Sequence, residues 1–428
     1  MARHQFSTNL TVSVVCGDHG RAQHICNILQ NQQLDARSGE FADPSDIFLF
    51  DLNSCRPALI EDIVGYAQDC KVSHPLIATL GQFPCGSPAP DNIDIRLSTD
   101  NALYLARSRF HFAHRTAARR AEVRLRRESY ERYGLNSAPD AKHHNKDILY
   151  VGEASREFLS LKDHLESQGF NLTASFSAYT AFDYLHDHSF GAVILDTTAE
   201  NLKGDNFCGM IRRSPNLSEI PLLAITHEDL SPSEDIFESA TDLIDTTATE
   251  ETVANLLKEL VVNRGPSAKD FAAPSDAVTD KVTGLFTRQF FEDHLNAQVE
   301  WSLDYGQPLS VLVLTVLGHT DGPPDVCDLT YTARVVKTLL RVQDAPTRLD
   351  ESTLAISMPG SSKEDAMIAV RRIEGVLDAT AFESRPGQPN RQVMIKWSIA
   401  ELNADQSSDQ LLSQAISQDK NSNRFAAA

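Results

Sequence analysis

A chain of 428 residues is too long for one ordinary core, so two to four domains are expected at about 100–200 residues each. Its formal net charge of −20 argues against bulk nucleic-acid binding. No run is long and apolar enough to span a bilayer, and the N-terminus Met1-Ala2-Arg3-His4-Gln5 leads to no secretory segment, so a cytoplasmic protein is expected. The cysteines (Cys16, Cys26, Cys55, Cys70, Cys85, Cys208, Cys327) form no C-x-x-C pair, which argues against a zinc site or a disulfide framework.

Four short apolar runs open the chain. Leu10 to Val15 ends at Cys16-Gly17-Asp18, Ile47 to Phe50 at Asp51, Pro75 to Ala78 at Thr79, and Ile93 to Leu97 at Ser98-Thr99. A helix with Ile25, Ile28 and Leu29 on one face follows the first run. Short continuous strands alternating with helices indicate βαβ units and a parallel sheet, which carries its sites at the C-terminal ends of its strands. Phe83 to Pro90 holds too many prolines for a normal helix. Asn101 to Tyr133 reads as one long helix without Gly or Pro, rich in arginine, with Leu103, Phe110, Ala117, Ala121 and Leu125 on one face. Its charges are expected to be a solvated face rather than a nucleic-acid or lipid surface. Gly134 to Lys146, with His143-His144, reads as a linker.

The same order then repeats, and a repeat fixes architecture. Ile148 to Val151 ends at Gly152-Glu153, Gly191 to Leu195 at Asp196, Pro221 to Ile225 at Thr226, and Asp242 to Asp245 at Thr246. His186-Asp187-His188 reads as a polar turn at a helix end rather than a metal site. Asn263 to Ser275 is a second linker.

The last segment opens with Asp280-Lys281-Val282-Thr283-Gly284-Leu285-Phe286-Thr287-Arg288-Gln289-Phe290-Phe291 and a helix through Leu295, Val299 and Trp301. A strand, Leu309 to Leu314, ends at Thr315. Arg341 and Asp344 then stand three residues apart, ahead of Asp350-Glu351-Ser352-Thr353-Leu354 and the Pro359-Gly360 turn. Val393 to Ile399 reads as a late strand and Leu411 to Ile416 as a final helix.

These motifs carry two resemblances. Residues 1–133 and 147–262 resemble receiver domains of two-component signalling, with Asp51 and Asp196 at the phospho-acceptor place and Thr79 and Thr226 at the hydroxyl place. Both are degenerate: the lysine place reads Thr99 and Thr246, and the acidic pair is reduced to Asp18, one place late, and Glu153. Residues 276–428 resemble a GGDEF (diguanylate cyclase) domain. Its opening frame D-x-L-T-G-L-x-N-R-R-x-F falls on Asp280 to Phe291, and its G-G-[DE]-E-F signature falls on Asp350 to Leu354 with both glycines and both acids lost. The metal-binding Asp place reads Thr315, and the second acidic place of that strand reads Leu317. The guanine-holding region is shortened to Gly318 to Pro324.

The receiver–receiver–GGDEF order resembles the PleD-type architecture. It implies an α/β chain of two flavodoxin-like parallel sheets followed by an α+β cyclase-like domain. It also implies a cyclic di-GMP receptor that is not an enzyme and holds neither metal nor cofactor. The ligand site would be the R-x-x-D pair Arg341 and Asp344, completed by Arg372 with Arg371 adjacent. The partners implied are protein partners: a second copy as homodimer, and, at a cell pole, an adaptor and substrate delivered to the ClpXP protease. The alternatives are a phosphorylation-controlled or ligand-free scaffold acting through Asp51 or Asp196, and a divergent cyclase.

Overall fold

The computed structural model describes residues 10–39, 45–54, 75–81, 93–97, 100–135, 145–202, 207–214, 219–227, 239–262, 265–266, 268–318, 324–380 and 392–421, with 62 and 217. The expectations for Phe83 to Pro90, His143-His144 and Thr99 lie outside them. Two compact units take in Ser7–Ala117 with Asp140–Gly265, and Ala118–Pro139 with Pro266–Ala428.

The first of these units holds two five-stranded sheets. In one, β1 (Thr11–Val15), β2 (Asp35–Ser38), β3 (Ile47–Asp51), β4 (Leu76–Leu80) and β5 (Ile95–Leu97) pair in the order β2-β1-β3-β4-β5, all parallel. Helix α1 (His19–Asn31) begins where Asp18 accepts the Arg21 backbone N–H, an N-cap that satisfies one orphan donor. It packs Ile25, Cys26 and Leu29 on the sheet. Helix α2 (Ala106–Arg132) follows β5 after a short 3₁₀ turn.

The second sheet repeats this order. Strands β6 (Asp147–Val151), β7 (Asn171–Ser175), β8 (Ala192–Asp196), β9 (Leu222–Thr226) and β10 (Asp242–Asp245) pair in parallel as β10-β9-β8-β6-β7. Helices α3 (Arg156–Ser167), α4 (Ala178–Asp187), α5 (Phe207–Arg213) and α6 (Glu250–Val262) accompany it. Both sheets are flavodoxin-like. The edge strands β2 and β7 leave no continuous apolar run in the sequence: β2 is mostly exposed, and β7 alternates.

The other unit is built on a mixed sheet. Strands β11 (Phe286–Thr287), β12 (Leu309–Leu317), β13 (Ala345–Arg348), β14 (Thr353–Pro359) and β15 (Met394–Glu401) lie in the order β11-β13-β14-β12-β15. Around it lie α7 (Arg288–Tyr305), α8 (Val326–Leu339), α9 (Lys363–Ala379) and α10 (Ser408–Asn421). The period-two alternation of β12 explains its near-complete burial. Leu312, Leu314 and Val316 join the core under α8 and α9, while Leu309, Val311 and Val313 join the core under α7 and α10. Helix α9 starts at a reciprocal capping box between Ser362 and Asp365.

The second half of α2 belongs to this unit, and the expectation of a solvated basic face is corrected there. Leu125 and Ala121 pack with Ala297 and Trp301 of α7, and Tyr130 stacks on Phe290 with ring centroids 5.1 Å apart. Arg119 and Arg126 are buried too, because partners lie within reach. Burying a side chain the size of Leu125 stabilises by about 1.5–3 kcal/mol, and this draws the arginines in with it.

One backbone approach in the second sheet is testable. Gly191, leading into β8, donates its N–H to the Asp147 carbonyl, and a Cβ there would lie 1.8 Å from the Asn145 carbonyl oxygen. Backbone cannot yield that much, so Gly191→Ala is expected to cost more than about 2 kcal/mol in urea unfolding; an unchanged midpoint would contradict this approach.

Candidate functional site

Three groups of residues were candidates, and the structure treats them differently. In the first sheet, Asp51 ends β3 at 0% exposure. Arg21 of α1 forks onto it, with Nε 2.5 Å from Oδ2 and Nη2 3.2 Å from Oδ1. Ser54 donates to Oδ2 at 2.6 Å and the Cys16 thiol at 3.4 Å. Burial pushes the carboxyl up, but the Arg21 hydrogen bond and charge, with Ser54, overcome this and hold it below the ordinary range. An arginine thus supplies positive charge where the receiver pattern would need a metal. The sequence did not reveal it, because Arg21 lies outside the receiver motif.

In the second sheet, the C-terminal ends of β6, β8 and β9 lie side by side and gather Glu153, Asp196 and Thr226. Asp196 is partly exposed. Its Oδ1 accepts from the Thr198 backbone and hydroxyl at 3.0 and 2.6 Å, and its Oδ2 from the Tyr150 hydroxyl at 3.2 Å. The Glu153 carboxylate accepts the Glu200 N–H at 2.7 Å. Thr246 is exposed beside His227. His186 closes on the Phe182 carbonyl at the end of α4, and no group of three metal-ligating side chains occurs among the described residues.

The third group sits at the two ends of β13. At its far end is the hairpin that carries the signature places. Asp350, at the first glycine place, turns its Oδ1 back onto the Ser352 and Thr353 N–H groups, both at 2.8 Å. This is an Asx-type turn, in which a side chain takes the amides that a bound anion would otherwise use. Thr315 pairs with Thr353 across β12 and β14, so neither strand presents a carboxylate at these places. The opening motif closes the hairpin from behind. Asp280 accepts from the Thr283 N–H and hydroxyl at 2.9 and 2.7 Å, and Arg348 reaches it at 3.4 Å.

At the near end, residues 341–344 form a tight turn. The Asp344 N–H donates to the Arg341 carbonyl at 3.1 Å, and Asp344 Oδ2 accepts the Arg341 N–H at 2.9 Å. The Arg341 side chain reaches the Ser361 hydroxyl at 3.2 Å. Arg372, on α9, donates to the Leu339 carbonyl at the end of α8. Burial and then the charge of Arg341 pull the Arg372 guanidinium below its ordinary range, while Asp344 opposes them. Arg341, Asp344 and Arg372 therefore stand within one another's fields. Arg371 is exposed, one helical step away and on a different face.

Two polar atoms of this cluster are buried without a hydrogen-bond partner among the described residues: Asp344 Oδ1 and Arg372 Nε. An orphan of this kind costs about 1–3 kcal/mol and calls for an explanation. Burial pushes the Asp344 carboxyl up to about 6, against the pull of Arg341 and Arg126.

Behind the turn lies a second network that the sequence did not disclose. Arg126 of α2 pairs with Glu122 at 2.7 Å. Its Nη1 donates to the Phe271 and Val342 carbonyls at 3.2 and 3.3 Å, and its Nη2 to the Gln343 and Asp344 carbonyls at 2.6 and 3.0 Å. Burial pushes the Glu122 carboxyl up, but His294 and Arg126 overcome this and hold it low. Ser129, His294 and Glu122 stand in a row at 3.0 and 2.9 Å, with the spacing of a hydroxyl–imidazole–carboxylate relay. All three are buried, and the row packs in the interior of the unit.

Arg21→Ala would leave a fully buried carboxylate without its cation, and is expected to cost about 3 kcal/mol. The same change in an Asp51→Asn background should cost much less, as a double-mutant cycle in urea would read. Because the folded Asp51 carboxyl is held low, its contribution is present above about pH 4 and is lost as pH falls through the folded value. Equal costs in the two backgrounds would contradict the ion-pair account.

Residues 277–423 match a family model described as "Diguanylate cyclase, GGDEF domain". No curated protein matches the chain. Among solved structures it is similar to the GGDEF domain of DgcB from Caulobacter crescentus in complex with c-di-GMP, with 18% identity and a TM-score of 0.32 over 36% of this chain and 91% of that one. It is also similar to the FimX GGDEF domain from Pseudomonas aeruginosa, with 19% identity and a TM-score of 0.32 over 34% of this chain and 94% of that one. Residues 277–423 are a GGDEF domain, and two flavodoxin-like parallel sheets precede it in the chain.

Proposed function

We propose that the chain is a non-catalytic cyclic di-GMP receptor and scaffold, and that the dinucleotide binds at Arg341, Asp344 and Arg372. The observation that carries this reading is the pair of orphaned atoms in one charged cluster. Asp344 Oδ1 lacks a donor, and guanine offers N1–H and its amino group. Arg372 Nε lacks an acceptor, and the ligand offers phosphate oxygens. Arg341 supplies the planar fork that suits guanine O6 and N7 or a phosphate. Arg371, on another face of the helix, is not part of this cluster.

The absence of catalysis is part of the same reading. Cyclase chemistry needs metal ions to neutralise phosphate charge and to activate the attacking hydroxyl. Thr315, Ser352 and Thr353 carry no charge for a metal, and Asp350 spends the hairpin amides on itself. Incubation with GTP and Mg²⁺ is therefore expected to give no cyclic di-GMP; turnover would overturn this part of the reading.

By resemblance the whole chain is most like PopA. On that reading ligand-bound protein acts as a homodimer at a cell pole and brings an adaptor and its substrate to ClpXP. Ligand control requires the dinucleotide to prefer one packing of the chain over another. A phosphorylation-controlled scaffold is the second reading, and one observation favours it at Asp196 over Asp51. Among the described residues Asp196 is partly exposed and accepts only from neutral donors, while Asp51 is closed off by Arg21. Acetyl phosphate labelling lost in Asp196→Asn, with no dinucleotide binding, would support it.

The receptor reading is tested by calorimetric titration of cyclic di-GMP into the full chain and Arg341→Ala. Micromolar or tighter binding, lost in the variant, is expected; no binding to wild type would sink the proposal. The pH dependence follows from Asp344. Its folded carboxyl sits near 6, above the ordinary 3.8, so in the free protein its stabilising contribution belongs to the protonated form and is lost as pH rises through about 6. Guanine donors favour the ionised form. Affinity should therefore be roughly tenfold weaker at pH 5 than at pH 7.5, with proton release on binding near pH 6. A flat profile would exclude Asp344 as the guanine acceptor.

A further inference from the structure

Arg126 shares no sequence motif with the dinucleotide site, yet it touches the backbone that builds it. A guanidinium has five N–H donors. Here Nε is spent on Glu122, Nη1 on the Phe271 and Val342 carbonyls, and Nη2 on the Gln343 and Asp344 carbonyls. Three of those carbonyls are consecutive and belong to the turn that carries Arg341 and Asp344. The guanidinium also lies over the Phe271 and Phe286 rings at 5.2 and 5.6 Å. Glu122 is fixed in turn by His294 and Gln298 of α7, both at 2.9 Å. The same turn is closed on itself, with the Asp344 N–H donating to the Arg341 carbonyl and Asp344 Oδ2 accepting the Arg341 N–H, so holding its carbonyls also holds these two residues. Asp344 is also among the groups that feel the Arg126 charge.

We infer that Arg126 is a positioning residue of the dinucleotide site: it holds the 342–344 backbone so that Arg341 and Asp344 meet the ligand, and it thereby couples ligand binding to the docking of residues 118–132. The inference rests on the receptor reading above. It adds a route of regulation, because a ligand that prefers the clamped turn must strengthen the seating of this helix segment by the same factor. The helix segment is an element that neither ligand-site motif includes.

The test uses the full chain, cyclic di-GMP and Arg126→Lys. Lysine keeps a positive charge beside Glu122 but cannot fork across four carbonyls. Affinity is expected to fall at least tenfold, with near-UV circular dichroism unchanged. Hydrogen exchange of the wild-type chain gives a second readout that needs no variant. Saturating cyclic di-GMP should slow exchange within residues 118–132 several-fold, which a merely structural arginine would not produce. If the wild type binds, equal affinity in Arg126→Lys or unchanged exchange in the helix overturns the inference and leaves the receptor reading standing. If the wild type binds nothing, the receptor reading fails and this inference falls with it.

Discussion

A guanidinium in a protein interior is costly unless its donors find partners and an opposite charge stands beside it. Arg126 meets both conditions, and much of the C-terminal unit depends on how it does so. Glu122, one helical turn earlier on α2, supplies the charge at 1% exposure. The remaining four donors need carbonyls within reach, and the 342–344 turn supplies three of them and Phe271 the fourth. The apolar stripe that includes Leu125 and Tyr130 brings the helix in, and the arginine then fixes the backbone it meets. A hydrophobic contact and a polar network thus select the same arrangement, which is the consistency expected of a specified fold.

The two ends of β13 have diverged in what they offer a ligand. At one end Asp350 closes the hairpin on its own side chain, so the amides there are already satisfied. At the other end charge is concentrated and left incomplete, with Asp344 Oδ1 and Arg372 Nε both buried and unmatched. Folding has thus satisfied the signature hairpin and left the turn in want of partners. An incomplete buried polar site persists only when something offsets its cost. A dinucleotide with guanine donors and phosphate acceptors has the complementary chemistry.

The parallel core was legible because strands buried on both faces read as continuous apolar runs. Ile47 to Phe50 and Ala192 to Leu195 are of this kind. The edge strands Asp35–Ser38 and Asn171–Ser175 were not, because solvent on one side removes that pattern. The apolar face expected of the long helix was legible, with Phe110, Ala117, Ala121 and Leu125 buried on it, while Leu103 is buried in the 3₁₀ turn that precedes it. The fate of its arginines was not. Whether Arg119 or Arg126 is solvated depends on carbonyls over a hundred residues away in the chain. Arg21 was missed for a related reason: an ion pair to Asp51 leaves no trace in the local spacing of either residue. At the candidate ligand site, the sequence motif named Arg341, Asp344 and Arg372, but only the fold shows which of their atoms lack partners.

The most direct measurement is the structure of the full chain crystallised with cyclic di-GMP. The account predicts a guanine edge within hydrogen-bonding distance of Asp344 Oδ1 and an acceptor of the same ligand on Arg372 Nε, with the Arg126 clamp on the 342–344 carbonyls intact. A dinucleotide seated elsewhere, or those two atoms still unmatched beside it, would contradict the account.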